Sequence, residues 1–438
     1  MQALLSYDQS PPMAAPFRFF LTAPLFALLA GALLLWEGPD ILASRWTPGL
    51  LAVTHLITVG FMLQVMLGAL VQILPVVAGA NLARPLQVSA VVHAMTTIGT
   101  LCLVAAFMSF APLWFALASF FLGTAGLIFV LAAARALLGV PSTSPTITGL
   151  KLALSGLVVT VTLGVLMSMV FGGGLDLPIL QIADYHAAWG FVAWGLVLLT
   201  AVAYVVVPMF QLTPNYPRAF GVGFLGAAVA AVSGWNVIDM FWPGPASTVA
   251  AVAVLAFPVS FAVATLRLQG RSKRPRFDAT QHLWRGAMVS TLLAGWLWGV
   301  AMAFPVVSEW PGWPVLFGVL VLFGGFVSVI SGMLYKIVPF LIWLHLQNLG
   351  RGRLMAPNMK KIIAEQAMKG QMLAHFSACG LLVFAVIGPA WGIYPAALAV
   401  MVSSAWLVFN LRAGMRVYTG HRQKILELTK PESASTLE

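Results

Sequence analysis

Apolar runs of about 20 residues or more recur twelve times along the chain, at approximately 17–36, 48–77, 86–110, 112–138, 147–171, 178–208, 218–242, 246–268, 280–304, 314–343, 367–390 and 392–416. Each is long enough to cross a bilayer as a helix. Three of them share a pattern. The run from Pro48 to Gly79 has His55 near its start and Pro75 near its end; the run from Pro178 to Pro208 has His186 near its start; the run from Pro314 to Pro339 has no histidine in that place. Proline suits the first position of a helix and removes a backbone donor from its interior, so each pair predicts where one span begins and ends. The closing prolines stand at 75, 208 and 339, intervals of 133 and 131 residues. About three further 20-residue spans fit each interval, which predicts a threefold repeat of four spans, at about 17–138, 147–268 and 280–416. Gly68, Ala201 and Gly332, each seven residues before its proline, predict close helix contacts, and Tyr204 and Tyr335 match four residues before it, with Val71 in the first copy.

Composition narrows the class. With 61% hydrophobic and 8% charged residues, the chain exposes more apolar surface than a soluble core can hide. The expected fold is all-α: a polytopic membrane protein whose twelve transmembrane helices form one membrane domain over 17–416, in a pseudo-threefold arrangement of four-helix repeats. Tails flank it at 1–16 and 417–438; the first is a polar, Pro-rich lead rather than a signal peptide, and the second is expected to fray. Of the 23 Lys and Arg residues, 22 fall in tails, even-numbered loops or adjoining span ends, and only Arg45 falls on the other side. The positive-inside rule then puts both termini in the cytoplasm of a bacterium, with the chain in its inner membrane. The net charge of +11 is concentrated in LRLQGRSKRPRFD and NLGRGRLMAPNMKK. These read as orientation signals against anionic lipid, so the expected partner is the bilayer and not nucleic acid. Cys102 and Cys379 lie inside spans and in no paired motif.

Histidine within a span is a functional hypothesis by default, since lipid offers its ring nitrogens no water. His55 and His186 lie at similar depth, roughly 10–12 Å along their helices from the outer end, which makes them the first candidates for metal or cofactor ligands. His93 and His375 also match in place, nearer the cytoplasmic side, and are reserve ligands. His282, His345 and His421 sit at span ends or in the tail and need no special role. Met62 and Met66, at i and i+4 beyond His55, and Met167 and Met169 offer soft thioethers of the kind that favours Cu(I), although methionine is also ordinary core filler. Arg45 could bond the carboxylates of a haem standing at the depth of His55, or could pair with Glu37 or Asp40. No nucleophile motif, CxxC site or phosphate loop is present; AFGVGFLG has no strand before it.

The segments THLITVGFMLQVMLGALVQILPVVAG, YHAAWGFVAWGLVLLTAVAYVVVPMFQLTP and YKIVPFLIWLHLQ, with the twelve-span layout, resemble the haem-copper oxidase subunit I superfamily, in particular non-oxidase members such as the NnrS family. The resemblance implies that His55 corresponds to a ligand of low-spin haem and His186 to a ligand of copper. Span 10 lacks histidine in its outer half, span 7 lacks the adjacent copper-binding pair, and Gly190 stands where many oxidases have a tyrosine. The implied function is therefore a haem-binding protein, b-type, with copper as a further expected cofactor. It would act in respiratory or nitric oxide metabolism with electron carriers or another membrane subunit, and it is not expected to be an oxygen-reducing oxidase. Two other readings stand beside it: a transporter of Cu(I) or another small solute, and a scaffolding partner of a respiratory complex whose histidines only pack.

Overall fold

The structure, a computed structural model, describes residues 9–350 and 354–429. Among these there is no strand, and twelve helices are long and apolar enough to cross a membrane. They are α1 (Ala14–Glu37), α2 (Pro48–Ala78), α3 (Pro85–Ser109), α4 (Pro112–Leu138), α5 (Pro145–Phe171) and α6 (Ile179–Gln211). Then follow α7 (Val222–Phe241), α8 (Pro245–Gln269), α9 (Ala279–Ala303), α10 (Trp313–Gly350), α11 (Glu365–Ile387) and α12 (Pro389–Thr429). The protein is thus a helical membrane protein, and the twelve apolar runs of the sequence correspond one for one to its helices.

Local chemistry explains the helix starts. Six helices open on proline, at Pro48, Pro85, Pro112, Pro145, Pro245 and Pro389, where the missing N–H costs nothing. Thr47 and Ser144 accept hydrogen bonds from the first-turn N–H groups of Leu50 and Ile147, which have no partner within the helix, and Asp278 does the same for Gln281 at 2.9 Å. The helix ends differ from expectation. Pro75, Pro208 and Pro339 do not close their spans: α2 runs on to Ala78, α6 to Gln211 and α10 to Gly350. One lost hydrogen bond is outweighed where the following turn is packed, as Leu341 and Ile342 are beyond Pro339. The first part of the tail expected to fray, residues 417–429, is helical. Helix α12 continues to Thr429, because Ile425 is buried against the end of α10 and the His421 ring lies 3.3 Å from the Met355 carbonyl. Residues 1–8 and 430–438 of the predicted tails lie outside the described residues.

Successive outer helices pack side by side, and α1 lies along α12, which closes the ring. Inside it stand α2, α6 and α10, whose most apolar windows are 78%, 61% and 56% buried, against 17% for α7. Each inner helix leans on the helix before it through its small residue. A side chain at Gly68 would strike Phe19 and Phe20 of α1, one at Gly332 would press on Leu283 and Trp284 of α9 at 3.2–3.3 Å, and the Ala201 carbonyl accepts from Thr146 of α5 at 3.0 Å. These approaches are as close as the sequence predicts. Exposed tryptophans mark the helix ends away from the termini, among them Trp36, Trp242 and Trp391, as befits a membrane interface.

Each inner helix also contains a π turn: Leu56–Leu63, Trp189–Leu196 and Leu320–Val327. They begin at the same 133- and 131-residue spacing as the prolines. A glycine or alanine four residues into each turn lets the neighbouring helix in: Gly60 meets Phe26, Ala193 meets Gly156 and Gly324 meets Ser290. The Ser290 hydroxyl donates to the Leu320 carbonyl at 2.8 Å, supplying a partner where the helical ladder is disturbed.

Candidate functional site

A cavity of about 330 Å³ lies between α2 and α6 and is closed on its outer side by α3, α4 and α5. Its lining on α2 repeats every four residues in two rows, Leu51, His55, Val59, Leu63, Leu67 and Thr54, Thr58, Met62, Met66. An α-helix drifts about 40° for every four residues, so a row this long would wind away from the cavity. The wider π turn winds the other way and keeps both rows in line. The same holds on α6, where Ile179, Ala183, Ala187 and Phe191 form one row and His186, Gly190 and Trp194 the other. From Leu51 to Leu67 the cavity follows α2 for about 24 Å.

About one helical turn in from its outer end the two histidines meet. The ring centres of His55 and His186 are 6.5 Å apart, with their planes 23° from parallel. His55 Nδ1 lies 2.8 Å from the Leu51 carbonyl, and His186 Nδ1 lies 3.0 Å from the Thr160 carbonyl of α5. A carbonyl only accepts, so each Nδ1 carries the proton and each Nε2 keeps its lone pair. This is the arrangement that orients metal-bound imidazole. Phe107 packs on the His55 ring at 5.1 Å. Gly164 faces His186: a Cβ there would stand 3.2 Å from the ring.

The rotation of α6 that aims His186 is fixed from behind. Tyr185 and Gln181 donate to the Asp239 carboxylate of α7 at 2.9 and 3.0 Å, Ser247 of α8 donates to its other oxygen at 2.5 Å, and Trp189 donates to Asn236 at 2.7 Å. These polar groups lie one helix face away from the cavity, and none of them was singled out by the sequence.

At the mouth stand Arg45, Trp46 and Asp184. Arg45 pairs with Asp184 at 2.9 Å and lies over the Trp46 ring, so its partner is neither Glu37 nor Asp40. At the inner end the buried Thr96 hydroxyl faces the cavity without a protein partner. Met62, Met66 and Met167 line the space, whereas Met169 is on the outside.

His93 and His375 do not join this site. His93 bonds Thr22 of α1 at 2.9 Å and packs on Phe19. His375 is buried between α10 and α11, with Nε2 at 2.7 Å from the Ser328 hydroxyl and 3.6 Å from the Cys379 sulfur. Each is held to a neighbouring helix through a hydroxyl. Among the described residues no three His, Cys, Asp or Glu side chains gather at one point.

Metal–imidazole bonds of about 2.0–2.1 Å put the ring centres of two opposed ligands roughly 6–6.5 Å apart. His55 and His186 fit that spacing. A metal here would find two protein nitrogens and would need its other donors from a bound group. Compared with protein-family models and with curated proteins, the chain matches none.

Proposed function

We propose that this protein is a haem-binding membrane protein that holds the haem iron between His55 and His186. One observation carries the reading: two imidazoles, each with Nε2 left free by an Nδ1 bond to a carbonyl, stand with ring centres 6.5 Å apart in the lining of one apolar cavity. When bound, haem supplies one-electron chemistry. The protein's part is to fix both rings, keep water away from the metal with Phe107, Leu103 and Phe129, and meet the haem carboxylates with Arg45 at the mouth. With both imidazoles engaged by the group, the site would suit electron transfer in respiratory or nitrosative metabolism better than oxygen reduction. The test is the optical spectrum and metal content of protein purified after expression with haem precursors and copper. A Soret band is expected, and His55→Ala or His186→Ala should abolish it. Protein that contains neither haem nor copper would end this reading.

A second reading, a Cu(I) site or conduit, is favoured by one further observation: Met62, Met66 and Met167 line the same cavity as the histidines. Copper without a Soret band, together with copper uptake into proteoliposomes, would select it.

The setting belongs to the same proposal. Three four-helix copies, each donating one inner helix, are supported by the common spacing of π turns, small residues and prolines. A bacterial inner membrane with both termini in the cytoplasm is supported by the distribution of Lys and Arg.

A further inference from the structure

The mouth of the cavity is guarded by an ion pair that joins the two histidine-bearing segments. Arg45 precedes His55 by ten residues and leads into α2; Asp184 precedes His186 by two and lies on α6. Their side chains meet at 2.9 Å and are 45% and 46% exposed. Both line the cavity, and among the described residues no other Lys or Arg does. An ion pair this open to water is readily exchanged for another of the same chemistry. The guanidinium presents a fork of donors that suits any carboxylate, and Trp46 beneath it, 4.7 Å from ring centre to guanidinium carbon, holds it at the rim.

We propose that Asp184 is a stand-in for a ligand carboxylate, and that the Arg45–Asp184 pair makes the cavity select a porphyrin with free carboxylates over one without. The inference rests on the haem reading above. Before loading, Asp184 occupies Arg45 and closes the rim across α2 and α6. A ligand carboxylate arriving there takes over the guanidinium, and Asp184, already half in water, turns to solvent. The two residues therefore act in opposite directions on the same ligand group: Arg45 attracts the carboxylate, while Asp184 competes for the guanidinium and repels the newcomer. A porphyrin whose carboxylates are esterified offers nothing to exchange and is indifferent to both.

The experiment is an absorbance titration of haem-free protein in detergent with haemin and, separately, with haemin dimethyl ester. Asp184→Ala and Asp184→Asn should bind haemin about three- to tenfold more tightly than the wild type, and Arg45→Gln should bind it more weakly by a similar factor. Added salt should shrink these differences, and the ester should bind all four proteins alike. Unchanged or weaker haemin binding by both Asp184 variants overturns the proposal, as does an ester that follows the same pattern as haemin. Should neither porphyrin bind the wild type, the haem reading falls and takes this proposal with it. Matching thermal melts of the variants keep a folding defect from passing as a result.

Discussion

At the scale of single residues, the site depends on what is missing as much as on what is present. His186 can turn toward His55 because Gly164 on α5 leaves the space that a side chain would fill. The ring is then caught by the carbonyl of Thr160, one turn earlier on α5. Gly164→Val is therefore expected to push the imidazole off its carbonyl and to lower haem occupancy at least about tenfold, in line with the loss of a group that orients a metal ligand. Gly164→Ala, which asks for a shift of only tenths of an ångström, should keep most of it. Haem-to-protein ratios of the two variants, purified side by side, check this. A variant with Val that retains full occupancy would show that the glycine is incidental. The histidines themselves were legible in the sequence, because an imidazole inside an apolar span is conspicuous. Gly164 and Thr160 were not: glycine and threonine are common in membrane helices, and only the packing of α5 against α6 gives these two a role.

At the scale of helices, the recurring device is the π turn. It converts an α-helical stripe into two straight rows, and the period of four that results (51, 55, 59, 63, 67) is written in the lining of α2. A sequence reading alert to a period of four could have found it. Helix joints at the terminal face use charge instead. Asp278 caps α9 and accepts from Lys336 of α10 at 2.6 Å and from Arg274 at 2.8 Å. Burial pushes its carboxyl up, but Lys336 and the hydrogen bonds from Lys336, Thr280 and Gln281 outweigh that and hold it at about 2. A carboxylate with a depressed pKa stabilises the fold above its free value, near 4, and ceases to do so as the pH falls through the folded value. Asp278→Asn should thus cost about 2 kcal/mol at pH 7, and the difference from wild type should narrow as the pH is lowered from about 4 toward 2. Unfolding in detergent across that range measures it. A constant difference would mean that shape, and not charge, holds α9 to α10.

At the scale of the whole molecule, the ring closed by α1 against α12 leaves the inner helices as the walls between compartments. The compartment between α2 and α6 holds the cavity, while buried Phe26, Phe61 and Trp284 help fill the remaining core. The proposed orientation makes a direct prediction. Glu309 lies beyond α9, on the face opposite the termini, and Thr419 lies on the projecting part of α12; both are exposed. A membrane-impermeant maleimide added to intact cells should label Glu309→Cys and leave Thr419→Cys untouched, with Cys102 buried. The reverse pattern would invert the topology.

The sequence alone determined the number of helices, where each begins, and the two imidazoles worth attention, because hydrophobic length, proline placement and isolated polar residues are properties of the chain itself. It could not say how far the helices run beyond Pro75, Pro208 and Pro339, since that depends on whether the next turn finds neighbours to pack against. Nor could it separate His55 and His186 from His93 and His375, which look alike in one dimension. Only the packing of α2 against α6 brings one pair within 6.5 Å across an apolar space and gives each of the other two a hydroxyl on the next helix. Tertiary structure also chose Asp184 as the partner of Arg45 over nearer carboxylates, because reach in space and not distance along the chain decides which charges meet.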